Sequence, residues 1–291
     1  MSYLIEEIKK NSEHIYIIYD NVQYKRYKLN FMYKPFINTL KFLFEGTEII
    51  CIEDGGNYKY DISKFNDNDT IIYIGDRGSL DFNTKKNKIY TILYWTEPII
   101  GKHQYYDEVF LYSKYLFYNQ ERAHEEQKIK FIPLIKENTL HFMNYNHKQD
   151  NIKLCFMGTI KQRSRKKKRM FSNKIDLIYN LWNDKSYNNF IKNKVYIFLN
   201  ISKKNTKALT FARVNKLLSH KCIIISEYFN KEDDELMKDI IYFTNLDQIW
   251  DKFNELASKS PEELVNIAEN NYKKFTKIFA RQNIKNLILE K

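Results

Sequence analysis

Residues 200–227, NISKKNTKALTFARVNKLLSHKCIIISE, decide the fold class. Residues 195–201 are apolar, β-branched and aromatic, the composition of a buried parallel strand. Residues 202–206 are polar and loop-like. Thr206 is suited to cap a helix that runs to about Ser219. Residues 222–225 are a second apolar run, ending on Ser226 and Glu227. Strand, loop, helix and parallel strand make one α/β unit, with its ligand site at the carboxyl edge of the sheet. A helix start there presents free backbone N–H groups and a positive dipole, which suit a phosphate.

The same pattern extends outward from this stretch. Upstream, residues 152–157 predict a strand that ends on Gly158 and Thr159, and residues 194–200 predict the next. Between them stand a basic run, RSRKKKR at 163–169, and a helix expected near 174–182. Downstream come a strand at 240–243, a capping-box helix at 261–279 and a final helix at 282–289. The first half repeats the alternation, with strands at 14–19, 48–52, 70–74, 89–94, 108–112 and 130–134. Helices are expected at 33–44, where Phe36, Leu40 and Phe44 share a face before Gly46, and at 114–126. Residues 138–151 are polar without an apolar period and read as a linker. The chain therefore predicts two tandem α/β units with covered parallel sheets, and a nucleotide-linked substrate suits a cleft between two such domains.

Composition sets the class of partner. The 291 residues are 43% hydrophobic and 16% aromatic, enough for a globular core and more than one domain. A net charge of +12 favours anionic partners: nucleic acid, a membrane surface or a phosphorylated small molecule. Cys51, Cys155 and Cys222 all lie in apolar runs, so they read as small core residues in a reducing compartment. The charged first ten residues do not read as a signal peptide, and no apolar run approaches a membrane span. A soluble cytoplasmic protein is the expectation.

Several residues are candidates for chemistry. Gly158 and Thr159, followed by Lys161 and Arg163, make a loop that backbone and cation could offer to a phosphate. Thr206, Lys207 and Arg213 approach from the neighbouring loop and helix. An ordinary glycine turn with solvated lysines explains the same residues equally well on spacing alone. Neither a Walker A loop nor GxGxxG is present. Six of the seven residues at 163–169 are basic, but no aromatic is interleaved to stack single-stranded bases. That favours a solvated loop or an acceptor-binding role. Asp76, between two glycines at a strand end, and Glu97, after Tyr94 and Trp95, are general-base candidates; each also suits a turn or loop acid. Asp20 and Asp54 are weaker ones. Glu227 could accept hydrogen bonds from sugar hydroxyls, or face solvent. The six His lack zinc-ligand spacing, and Asp67-Asn68-Asp69 precedes a strand and reads as a turn, so no metal site is expected.

KALTFARVNKLLSHKCIIISE (207–227), followed by IIYFTNLDQIWDKF (240–253), resembles the GT-B nucleotide-sugar glycosyltransferases, of the small kind found in large DNA viruses and bacteria. ILYWTEP (92–98), DEVFLYS (107–113) and IKFIPL (129–134) are similar to that family's N-terminal half. Two positions depart from the family. Asn215 stands where many members carry the ribose-binding Glu, and His220 where they carry Gly. The resemblance implies α/β GT-B architecture, two Rossmann-like domains with a cleft between them. Residues 1–140 would bind the acceptor and 141–291 the nucleotide sugar. It implies transfer from a UDP- or GDP-type nucleoside diphosphate sugar to a glycan or glycoprotein hydroxyl. The diphosphate would lie at the Gly158 loop and Thr206, with no metal and no separate cofactor, Asn215 and Glu227 near hydroxyls, and Asp76 as base if the reaction inverts. A basic nucleic-acid-binding protein and an inactive GT-B-like scaffold are the competing readings.

Overall fold

The computed structural model describes residues 3–20, 33–54, 59–75, 79–86, 88–96, 105–119, 128–147, 152–158, 160–171, 174–178, 187–190, 195–203 and 206–290. The chain divides into two compact units, Met1–Ile135 with Arg281–Lys291, and Lys136–Ala280.

In the first unit the strands are β1 (Ile15–Asp20), β2 (Ile49–Asp54), β3 (Lys59–Asp61), β4 (Thr70–Gly75), β5 (Ser79–Asp81), β6 (Tyr90–Trp95), β7 (Glu108–Leu111) and β8 (Lys128–Phe131). The main sheet runs β8-β7-β6-β4-β1-β2, all parallel. The six expected strands are these six. Apart from the edge strand β2, their β-branched and aromatic runs are covered on both faces, with Ile17, Ile72, Ile92, Val109 and Phe131 fully buried. Burying each such side chain stabilises the fold by roughly 1.5–3 kcal/mol. The strands β3 and β5 form a separate parallel pair that the sequence pattern did not reveal. The helix Lys34–Leu43 buries Phe36 and Leu40 as expected, and Gly46 follows it with φ +90. Asn68 turns at φ +69 between Asp67 and Asp69, the expected turn. Asp69 is buried and accepts from the Asn66 amide, which is why it is not a solvent-facing acid. Cys51 is exposed, against expectation, because its strand lies at the sheet edge; Cys155 and Cys222 are buried.

The second unit contains β9 (Lys153–Met157), β10 (Asp176–Ile178), β11 (Tyr196–Asn200), β12 (Ile224–Glu227) and β13 (Tyr242–Thr244). They form a parallel sheet in the order β10-β9-β11-β12-β13. The strand order reverses between β9 and β11, and open α/β sheets place ligands outside the carboxyl ends at such a point.

Three expectations for this unit change, and the capping-box helix holds. Residues 138–151 are not a free linker: Met143 and Tyr145 are buried, and Tyr145 Oη donates to Tyr196 O and accepts from Ile223 N. Where a helix was expected at 174–182, residues 176–178 form β10 and residues 179–182 lie outside the described residues; the basic run itself forms the helix Arg165–Phe171. The helix after β11 starts at Phe211, with Thr210 and not Thr206 at its N-cap. Ala208 and Leu209 are buried ahead of it, and the Leu209 amide donates to Asp233 Oδ2 at 3.0 Å, so the chain stays extended there. The capping-box helix Pro261–Phe279 forms with Ser260 and Glu263 in reciprocal hydrogen bonds.

The chain end is also corrected. Residues 282–289 were expected to be a final helix of the second domain. They give a short helix at Arg281–Ile284, a 3-10 turn and β14 (Leu289–Glu290), which pairs antiparallel with β8 and so belongs to the first unit. Buried Ile284 anchors this return.

Candidate functional site

The site begins at Gly158, directly after β9. Its φ of +134 is a conformation that L side chains rarely adopt, so the glycine is required for the turn. A Cβ added there would lie 3.4 Å from the Phe156 ring and 3.6 Å from Arg213 Nη2. The loop that follows carries Lys161, exposed, and Arg163, only 4% exposed.

Arg163 and Arg213 converge beside this glycine. Arg163 Cζ lies 4.7 Å and Arg213 Cζ 4.8 Å from the centre of the fully buried Phe156 ring. Arg163 Nη2 donates to Ile201 O at 3.2 Å, which spans the switch point from the β9 loop to the end of β11. Arg213 Nη1 donates to Asn200 Oδ1 at 3.1 Å, and Asn200 Nδ2 donates to Ser226 Oγ. The ends of β9, β11 and β12 are thereby tied together by buried polar side chains. Burial lowers the Arg163 pKa to about 10, with Glu227 pulling the other way, so the guanidinium stays charged at neutral pH. Two cations held over a ring in low dielectric make a strong local field for an anion.

Glu227 closes the edge at β12. Its Oε1 accepts from Lys167 Nζ at 2.6 Å and from the Ser202 amide at 2.5 Å, and Lys167 Nζ also donates to Ser202 Oγ at 2.6 Å. Lys167, Ser202, Asn200 and Phe156 are the members that sequence reading missed. Lys167 is one cation among six in its run, and Phe156 is one apolar residue of a strand; only tertiary structure singles them out.

The other expected residues are placed differently. Thr206 is half-buried and donates to Lys203 O at 3.1 Å. Lys207 is exposed, and its carbonyl accepts from Asn230 Nδ2. Asn215 is fully buried within Phe211–Ser219. His220, where the resembling family has Gly, caps that helix; its Nδ1 donates to His141 O, and the left-handed residue is Lys221, at φ +58. Asp76, Glu97 and Thr159 lie outside the described residues. Among the described residues, Glu13, His14 and Asp69 gather ligand atoms within 4.8 Å of one another, in the first unit and away from these residues in sequence.

No protein-family model matches the chain, and no curated protein matches its sequence. Solved structures do match. A T4 phage β-glucosyltransferase structure is similar with a TM-score of 0.57 at 12% identity, covering 94% of this chain and 98% of that one. The same phage enzyme in complex with UDP and Mn2+ is similar with a TM-score of 0.52 at 12% identity, again over 94% and 98% of the chains. A third structure, described as the DNA modifying enzyme β-glucosyltransferase with and without uridine diphosphoglucose, has a TM-score of 0.51 at 12% identity and the same coverage. No helix among the described residues is long and apolar enough to cross a membrane. Two parallel α/β sheets in one chain, matched from end to end by these structures, identify the fold as GT-B, built of two Rossmann-like units.

Proposed function

We propose that this chain is a glycosyltransferase that moves a sugar from a UDP- or GDP-type nucleoside diphosphate sugar to an acceptor hydroxyl. The observation that carries the reading is the pair of buried guanidiniums beside Gly158, at the switch point of the second sheet. In such a transfer the glycosidic bond breaks toward a diphosphate leaving group, on which negative charge grows. Preorganised guanidiniums stabilise that charge without reorganising. Gly158 and Thr159 let a phosphate approach the backbone, and Lys161, Thr206 and Lys207 border it. Glu227, held in place by Lys167, orients a ribose or sugar hydroxyl. Asn215 supports the helix that carries Arg213.

The acceptor belongs to the first unit in this reading. Asp76 takes the proton of the attacking hydroxyl, and Glu97 is the second candidate base. We infer that transfer is metal-independent. Arg163, Arg213, Lys161 and Lys207 are cations, and Glu227 is already engaged by Lys167; a divalent ion needs several oxygen ligands. The acceptor hydroxyl is carried by a glycan or glycoprotein. A second reading puts it on a nucleic acid, favoured by the net charge of +12 and by one of the similar structures being that of a DNA modifying enzyme.

Thermal denaturation against UDP, GDP, CDP and dTDP, and their sugars, tests the donor. One diphosphate should raise the melting temperature, by about 2.7 kcal/mol of added stability at a hundredfold excess over Kd. No shift with any of them would overturn the reading. A shift without turnover would favour an inactive scaffold. Activity retained in EDTA supports the metal-free route, and a strict Mn2+ requirement removes it.

A further inference from the structure

The helix Arg165–Phe171, RKKKRMF, leaves one feature that the donor reading does not use. Phe171 is fully buried, with its ring 5.9 Å from that of Trp250, and Lys167 turns in to Glu227 and Ser202. These two residues fix the helix to the second unit. Arg165, Lys166, Lys168 and Arg169 all point to solvent. Among the described residues none of these four meets a carboxylate, and the helix itself contains no acid. Arg165 faces Lys168 and Arg169 at spacings of three and four, and Lys166 faces Arg169; like charges at those spacings repel. Arg165 and Lys166 also occupy the first turn, where the dipole disfavours cations. Such a face is relieved by a polyanion.

We propose that this face docks the phosphate backbone of a double-stranded nucleic acid. The seven residues rise about 10 Å, and a duplex offers one phosphate charge per roughly 1.7 Å of axis. The four cations carry no aromatic among them, so they suit phosphates and offer unstacked bases no platform. A membrane-surface helix needs an apolar face to insert, and here Phe171 is spent in the core while Met170 is half-buried. The argument stands on this helix alone, so its failure leaves the donor reading untouched.

The test is fluorescence anisotropy of the full chain with a short labelled duplex DNA across a salt series. Duplex RNA, single-stranded DNA and vesicles of phosphatidylserine and phosphatidylcholine are run alongside. The quadruple variant Arg165→Gln, Lys166→Gln, Lys168→Gln, Arg169→Gln should weaken duplex binding and reduce the slope of log affinity against log salt by about 3 to 4. The melting temperature should hold or rise slightly, since the repulsion along the helix is relieved, and the UDP or GDP response should stay as in the parent. Equal binding of duplex DNA and RNA supports a phosphate-docking face, and a DNA preference narrows it to DNA. If the quadruple variant fails to fold, Lys166→Gln with Lys168→Gln should reduce the slope by about 2. No duplex binding, an unchanged slope in the variant, tighter binding of the single strand, or a charge-dependent preference for vesicles would each overturn the proposal.

Discussion

Arg163 and Arg213 share one aromatic ring. Their guanidinium carbons lie 4.7 and 4.8 Å from the centre of Phe156, although one residue comes from the loop after β9 and the other from the helix Phe211–Ser219. Each is also tied to the end of β11, through Ile201 O and Asn200 Oδ1. Neither is a flexible surface cation, so each is held at a fixed position before any anion arrives. Arg213→Ala should weaken nucleoside diphosphate binding by tenfold or more, the scale of one lost charge-assisted hydrogen bond of about 1.5–3 kcal/mol. Titration calorimetry with the diphosphate that stabilises the parent checks it. Arg213→Lys should recover the charge but not the hydrogen bond to Asn200. Unchanged affinity in the alanine variant would remove Arg213 from the donor site.

Gly158→Ala tests the turn independently of the cations. The new methyl would find ordinary van der Waals contacts, at 3.4 Å to Phe156 and 3.6 Å to Arg213 Nη2, so space is not the obstacle. The obstacle is φ, +134. A strained backbone residue of this kind costs of order 1–3 kcal/mol, so urea unfolding should show a loss of that size. A loss near zero would mean that the loop relaxes, and the glycine would then be a convenience of the turn.

The central strands were legible in the sequence, the short strands β3, β5, β10 and β14 were not, and the site was legible only partly. Runs such as IIYI in β4 or YIFL in β11 are apolar, β-branched and short, and burial on both sheet faces permits little else. The Ser260 capping box was legible for a similar reason, because all of its partners lie within one turn. Thr206 misled because a polar residue before an apolar run is the usual sign of a cap. Here the Asp233 carboxylate, from a later helix, takes the Leu209 amide, and the helix starts only at Phe211, with Thr210 at its N-cap. The Lys167–Glu227 pair joins residues 60 apart, and nothing local distinguishes Lys167 from its basic neighbours. Long-range polar partners of this kind are set by the fold and not by the pattern that announces it.

Tyr145 is the plainest sign that residues 138–151 belong to the second core. Its hydroxyl receives the Ile223 amide at 2.9 Å and donates to Tyr196 O at 3.0 Å, joining the segment before β9 to β11 and the start of β12. Tyr145→Phe keeps the ring and removes both bonds, which leaves buried backbone groups unmet at about 1–3 kcal/mol. Equilibrium unfolding should show that loss, with the unfolding slope unchanged. A change under half a kcal/mol, on the order of an ordinary surface substitution, would mean that water replaces the hydroxyl and that the segment is only loosely attached.

Asp234 gives the stability a pH dependence that can be signed. Burial raises its pKa from 3.8 to about 6; the Phe229 and Asn230 amides, which both donate to Oδ2, pull it down, while Asp233 and Glu227 push it up. Oδ1 is buried and has no hydrogen-bond partner among the described residues. In the window between 3.8 and about 6 the folded chain holds this proton more tightly than the unfolded chain does. The resulting stability is fully present below the lower value and is lost as pH rises through the upper one. Asp234→Asn keeps an oxygen for the two amides and removes the charge. Thermal or urea unfolding across that window should therefore show a falling contribution in the parent and none in the variant. An identical pH slope in both proteins would show that Asp234 is solvated when the chain is folded.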